Sequence, residues 1–380
     1  MRTEVTRLVG VGALAAAACT AGSDDGLELD SWAIAPAPST VVGEMDGDPM
    51  YLFQSVAGAG LMPDGRIVVA DAGLSVIRVF DANGTFLSQL GGEGEGPGEF
   101  RGLRGVWIVP PDTIGAWDSS SVRITYFEAA GSLIRTVSLE PSTEARGVGS
   151  LDLLVGTLAD GSVAIGSLGF GSPDGTGADR VSVERFGPGG DHLERLGETT
   201  GFIRVPFGDR SSAPIPFSPY PRFAVRESTV YHTNGTAPRV DIWAAGSRRA
   251  IEFPPADHDP ELAWATLASR LDEEGSEFYR DLLPEAPRSD SIPHLAGLLV
   301  DDAGLVWTKQ YDPGTDALWL DSGRRVYGGT WWVAEASGDL VATADVPPTL
   351  APLQIVGDRA LGVTVDALGV ERIQVHPIVR

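Results

Sequence analysis

The sequence predicts an all-β protein: a six-bladed β-propeller of four-stranded antiparallel blades, its ring closed by an N-terminal strand, with a short helical insertion between blades four and five. Three observations predict it. A turn-and-strand pattern recurs in six copies, glycine and proline are abundant, and an extended N-terminal segment is left over where the last copy lacks a strand. The 380 residues include 48 Gly and 27 Pro. That composition suits short strands joined by many tight turns, because Gly supplies positive φ and Pro presets the turn. Nine Trp and a mean hydropathy of +0.02 belong to a chain that folds around a core.

The repeat begins with a turn carrying Asp or Gly, then a strand alternating apolar and polar residues, often closed by Asp. Its first copy runs from Asp64 to Asp71 (DGRIVVAD), and others start near Asp112, Asp160, Glu227, Asp302 and Asp358. A second strand follows each, and in five copies it ends in a Gly turn, at Gly84, Gly131, Gly190, Gly246 and Gly338. Forty-seven residues separate Gly84 from Gly131, and the same spacing separates Asp71 from Asp118. A further strand follows these Gly turns, and an apolar run precedes each copy. Four antiparallel strands at this period form the unit of a propeller, in which neighbouring units cover each other's faces. The sixth copy ends at Arg380 one strand short, so Asp30–Ser39 (DSWAIAPAPS) is expected beside the last strand. That would remove an open sheet edge.

One segment breaks the pattern, at about 257–290. Asp259–Pro260–Glu261 combines an N-cap, a first-turn proline and an acidic residue. Leu262, Leu267, Leu271, Phe278 and Leu282 follow at helical spacing, and Pro284 ends the run. One or two short helices are expected here.

The N-terminus carries Arg2 and Arg7, then an apolar stretch from Leu8 to Ala18 that is too short to span a bilayer. It reads as a signal peptide over residues 1–18. Cys19, the sole cysteine, follows directly, and the LAAAAC run resembles a bacterial lipobox, with Ala16 where Leu is usual. Lipidation of Cys19 would leave 19–28 as a polar tether and 29–380 as the propeller, placing the protein in the periplasm or at the outer membrane. The membrane partner is then the anchor alone. No internal disulfide is available to a chain with one Cys.

Formal net charge is −24, from 28 Lys+Arg against 52 Asp+Glu. Nucleic acid is excluded as an expected partner, because its phosphates require a basic footprint. Lys309 is the single lysine.

Leu61–Phe100 resembles an NHL repeat. The resemblance rests on Val69–Ala70–Asp71, Arg78–Val79–Phe80–Asp81, and the connection Gly94, Gly96, Pro97, Gly98 and Phe100. The second copy keeps Trp117–Asp118 and Tyr126–Phe127–Glu128. The whole chain is also similar to uncharacterised bacterial six-bladed propeller lipoproteins. The resemblance implies the fold; propellers host binding, scaffolding, lactone hydrolysis and lyase chemistry alike.

The connection Gly91–Gly105 (GGEGEGPGEFRGLRG) lacks the Lys–Ser/Thr of a phosphate loop and reads as a sharp crossing between blades. Such crossings surround the channel, so Glu93, Glu95, Glu99, Arg101 and Arg104 are candidate ligand-binding residues on a charged rim. Asp71 with Arg78 and Asp118 with Arg123 read as structural clips, since a repeated pair serves the fold. No H-E-x-x-H, C-x-x-C or G-x-S-x-G occurs. The five His fall in five segments, and His294, just before a first strand, is the one placed near the axis. Gly166–Asp179 holds two Asp without regular ligand spacing and reads as a loop. These patterns assign no catalytic residue, metal ligand, cofactor or oligomeric state. They favour an envelope binding module for a protein, peptide or glycan, with a metal-dependent hydrolase or lyase in the channel as the alternative.

Overall fold

A computed structural model describes residues 29–140, 152–169, 176–207, 211–244, 246–274, 287–289, 291–317 and 325–380. The expected signal peptide, Cys19 and the tether lie outside these residues, as do Phe278, Leu282 and the middle of the second Gly-rich stretch. After β1 (Asp30–Ile34) and β2 (Thr40–Val42), four strands form the first sheet: β3 (Val56–Leu61), β4 (Ile67–Asp71), β5 (Val76–Phe80) and β6 (Phe86–Gly91). The second holds β7 (Leu103–Val109), β8 (Thr113–Asp118), β9 (Arg123–Glu128) and β10 (Leu133–Ser138). Within each, successive strands pair antiparallel.

Burial follows from this order. Every residue of β4 and β5 is buried, because middle strands are covered on both faces by neighbouring sheets. β6 alternates between partly covered and exposed residues along most of its length, and β10 is mostly exposed. The turns ending β5 and β9 depend on Gly84 and Gly131, at φ +86° and +118°, a region side-chain-bearing residues avoid.

The third sheet departs from the four-stranded expectation. It runs β11 (Asp152–Thr157), β12 (Val163–Gly169), β13 (Gly177–Phe186), β14 (His192–Phe207) and β15 (Ser211–Pro214). β14 is 16 residues long, and its far end pairs with β15 as an added hairpin. The fourth sheet is β16 (Arg222–Arg226), β17 (Thr229–Thr233), β18 (Arg239–Ala244) and β19 (Ser247–Glu252).

Helix α1 (Pro260–Glu274) follows, capped by the Asp259 carboxylate, which accepts from the Glu261 and Leu262 amides at 2.8 and 3.3 Å. Its buried face differs from the spacing expected. Ala263, Trp264, Leu267 and Leu271 pack against Ile215, Phe217 and Tyr311, while Leu262 points outward. The helix thereby covers the hairpin added to the third sheet.

Two meanders complete the chain: β20 (Leu295–Val300), β21 (Val306–Gln310), the single-turn α2 (Pro313–Asp316), β22 (Gly329–Ala334) and β23 (Leu340–Val346), then β24 (Leu350–Val356), β25 (Arg359–Val365) and β26 (Glu371–Val379). β1 joins them into one nine-stranded sheet. It lies parallel to β23, with Asp30 opposite Ala342, and meets β26 only at Ala33 and Ile34. The residues that run along β26 are Thr40–Val42, opposite Val375–Ile373. The segment expected as one strand over 30–39 is thus divided, and Pro36 and Pro38, which have no N–H to donate, occupy the break.

The first strands of the six meanders touch in series. β3 meets β7, β7 meets β11, then β16, β20 and β24 follow, and β24 meets β3.

Candidate functional site

Residues from the opening halves of β3, β7, β11 and β16, with one from β24, surround a cavity of about 390 Å³. Ala57, Gly58 and Ala59 come from β3, Arg104 to Val106 from β7, Leu153 and Leu154 from β11, Arg222 and Phe223 from β16, and Leu353 from β24. Tyr220, Pro221 and Ser119 complete the wall. Two guanidinium groups therefore stand among aliphatic and aromatic side chains, and among the described residues no Asp, Glu or His lines the cavity.

Arg222 is held in place by a ring and a carbonyl. Its guanidinium carbon lies 4.0 Å from the Tyr220 ring centroid, and its Nε donates to the Ala296 carbonyl at 3.2 Å. Burial pushes this group below its ordinary pKa, while Tyr220 and Asp316 act against that. An arginine so placed stays charged and favours an anion in the cavity. Arg104, from β7, lines the same cavity and is exposed.

Tyr220 and Arg222 also line a smaller hollow of about 50 Å³ whose wall includes Phe217, Tyr311 and, from α2, Asp316. There Lys309 is almost fully buried, with Nζ 2.6 and 2.7 Å from the two Asp316 oxygens. Burial pushes the Asp316 carboxyl up, and Lys309 opposes it. The pair joins β21 to α2 and so fixes the floor under the hollow.

The residues expected to form a charged rim divide between the cavity and the connection between the first two sheets. Arg104 alone among them lines the cavity. Glu93, Glu95, Glu99 and Arg101 lie exposed on the connection between the first two sheets. The Glu99 carboxylate accepts from the Gly96 amide at 2.8 Å, and Arg101 pairs with Glu95. Arg123 donates to the Glu95 carbonyl at 2.9 Å. The crossing is tight around Phe100, which is fully buried; a Cβ on Gly91 would sit 2.4 Å from its ring. His294 bonds the Ala256 carbonyl through Nδ1 at 3.1 Å, tying the linker before α1 rather than facing the cavity.

The remaining polar pairs act within the fold. The Asp71 carboxylate accepts from the Gln54 and Ser55 amides and faces Arg78 at 3.4 Å, with both side chains buried. Asp118 does the same for the Arg101, Ser120 and Ser121 amides, with Arg123 at 3.6 Å. Among the described residues, no three His, Cys, Asp or Glu side chains are grouped so as to hold a metal ion. No helix among them is long and apolar enough to cross a membrane.

Arg222 and Tyr220 escaped the sequence reading, although a signal existed. Both precede or open the first strand of their repeat, as Arg104 does, and these positions converge whenever the first strands are central.

A family described as a 6-bladed beta-propeller matches residues 59–146. No curated protein is similar enough in sequence to be matched. Among solved structures, a Bacteroides fragilis protein named as exported superposes with a TM-score of 0.51 at 12% identity, covering 91% of this chain and 99% of its own. A member of the DUF4221 family from Bacteroides vulgatus superposes at 0.50 and 9% identity, covering 92% and 99%. A gluconolactonase from Xanthomonas campestris reaches only 0.42 at 16% identity, over 86% and 87%. Together with the successive four-stranded sheets, the family match identifies the architecture as a β-propeller.

Proposed function

We propose that the chain is a six-bladed propeller of the bacterial cell envelope that works as a binding module, taking its ligand at the mouth of the central channel. Residues 1–18 would direct export, Cys19 would carry the lipid, and 19–28 would tether the propeller formed by 29–380. The circuit of contacts among the six first strands supports the blade count. The strands β1 and β2, laid against β23 and β26, support closure by the N-terminal segment.

The binding reading rests on one observation: a cavity of about 390 Å³ in which Arg104 and Arg222 stand among apolar walls. Cavities of this size, mostly apolar with a few placed polar groups, suit small ligands. A carboxylate would meet the guanidinium groups, and an aliphatic or aromatic body would cover Val106, Leu153, Leu154 and Phe223. A peptide end or an acidic side chain on a protein segment has that chemistry. Direct titration with short apolar peptides, carrying either a free or an amidated C-terminus, tests this. Free-carboxylate peptides should bind, and Arg104→Gln should weaken them by about tenfold, the worth of one charge-assisted pair. Equal affinity for amidated peptides would refute the anion-led reading. Fractionation of cells carrying Cys19→Ser tests the anchor, since the variant should leave the membrane fraction.

A further inference from the structure

A second cavity, away from the channel mouth, opens between the third and fourth sheets, with a volume of about 440 Å³. Its chemistry follows from strand register. His232 on β17 lies directly opposite Asp241 on β18, and Phe223 on β16 lies opposite His232. Two residues along, Val230 faces Trp243, which in turn faces Arg248 on β19. Side chains two apart share a sheet face. Phe223, His232, Asp241, Trp243, Arg239 and Arg248 therefore crowd the face turned towards β14.

His232 is the anomaly. Its side chain is only 5% exposed, stacked on the Trp243 ring at 5.0 Å and tilted against Phe223 at 5.1 Å. Neither ring nitrogen has a hydrogen-bond partner. An Asp241 oxygen stands 3.7 Å from Nδ1, too far for a good hydrogen bond, yet the imidazole is the largest of the influences that hold the Asp241 carboxyl below its ordinary pKa. Buried polar atoms are ordinarily satisfied, so an imidazole whose Nε2 is unmet and whose Nδ1 is only loosely paired, lining a cavity, marks a place completed by something else.

The surrounding groups say what that is. In a chain of net charge −24, this cavity gathers Arg239, Arg248 and Arg249 against Glu198 and Asp241. Arg239 reaches Asp241 at 3.3 Å, and Arg248 donates to the Leu196 carbonyl over the Trp243 ring. Each guanidinium keeps further N–H groups, and these fit the oxygens of a phosphate or carboxylate. The volume exceeds that of a lone oxyanion. Thr199, Thr200 and Thr236 on the wall, with the two carboxylates, offer donors and acceptors for a hydroxylated body.

We propose that this cleft binds an acidic sugar, its anionic group held by Arg239 and Arg248 and a hydroxyl satisfying His232. Calorimetric titration of the full chain with glucose 6-phosphate, glucuronate and unmodified glucose provides the test, the first two separating a phosphate from a carboxylate as the preferred anion. At least one acidic sugar should bind and glucose should not. Arg239→Gln and Arg248→Gln should each weaken binding by about tenfold, while Arg104→Gln leaves it unchanged. The imidazole nitrogen resonances of His232 in the unmodified chain should move during the titration, a readout independent of how the variants fold. Failure of both acidic sugars to bind, equal binding of glucose, or a static His232 resonance would overturn the proposal. Loss of binding in Arg104→Gln alone would assign the ligand to the channel mouth instead.

Discussion

The junction between the first and second sheets and the junction between the third and fourth arise from the same repeat but are filled differently. At the first, Met62, Val68, Ile77, Val79, Leu90, Phe100, Leu103, Ile114 and Phe127 form one apolar cluster, with Phe100 delivered by the glycine-rich crossing. At the second, Leu158, Ala164, Val183, Val230 and Trp243 make a smaller cluster, and beyond it the sheets part around charged and hydroxyl-bearing side chains. The difference begins in β14. Its 16 residues run on past the sheet they belong to, and Gly197 yields its side-chain space to the Trp243 ring, with a Cβ there falling 2.7 Å from it. One junction is closed for stability, and the other holds a polar space open.

Substitution should cost most where the first sheet is closed on both faces, with Phe100 at the junction just described and the Asp71–Arg78 pair on the opposite face beside Phe53. Asp71→Ala would leave the Arg78 guanidinium, which burial already pushes below its ordinary pKa, without its carboxylate partner. A buried charge stripped of its partner costs about 3–5 kcal/mol. Phe100→Ala should cost a comparable amount, about 3–5 kcal/mol, through lost burial and the cavity left behind. Denaturant unfolding with each variant measures both. A loss below about 1 kcal/mol for Phe100→Ala would mean that this junction collapses to fill the gap, and that it is less tightly determined than its packing implies.

The open junction should respond in the opposite direction. His232→Phe keeps a flat ring against Trp243 and Phe223 and removes two buried nitrogens, one unmet and one only loosely paired. Relieving unsatisfied polar atoms should leave stability unchanged or raise it by about 1 kcal/mol, while binding in the cleft falls. A gain in stability coupled to a loss of binding is the mark of a residue kept for its ligand. A stability loss larger than about 1 kcal/mol would show instead that the imidazole bonds Asp241 in solution, and that the junction is a structural network.

This contrast also explains what the sequence could disclose. Apolar strands such as Ile67–Asp71 and the Asp–Arg pairs are legible because they recur at a fixed period, and a property repeated in each unit can be read from any of them. Arg104 is legible because it sits on a conspicuous glycine-rich crossing. Arg222 and His232 are not. Each lies within or beside an ordinary strand, and its significance comes from a neighbouring sheet: Tyr220 and Ala296 around one, Trp243 and a loosely paired Asp241 around the other. The added hairpin β14–β15 was hidden for a related reason. Gly197 and Gly201 interrupt the strand pattern that would have announced its length, and its apolar residues are answered by α1 rather than by an adjacent blade. Glu93, Glu95 and Glu99 illustrate the converse, since charge on a connection between sheets says nothing about which way the side chain faces.

The smallest expected effect comes from the third sheet, where Asp160 closes the turn between β11 and β12. Its carboxylate accepts from the Ser162 hydroxyl at 2.6 Å and the Ser162 amide at 3.0 Å, with Arg185 beside it. The Ser162 hydroxyl bond is the largest cause of a pKa lowered from 3.8 to about 2. A carboxyl group depressed on folding stabilises the native state fully above its unfolded pKa, and that contribution fades as pH falls from 3.8 towards about 2. Because the Asp160 side chain is half exposed, solvent screening limits the effect to less than about 1 kcal/mol. Asp160→Asn should therefore lower stability slightly at neutral pH and match the parent near pH 2, with the two unfolding curves converging only below pH 3.8. Convergence at a higher pH would mean that the turn opens before Asp160 is protonated, which would place the first acid-labile step at the open junction next to it.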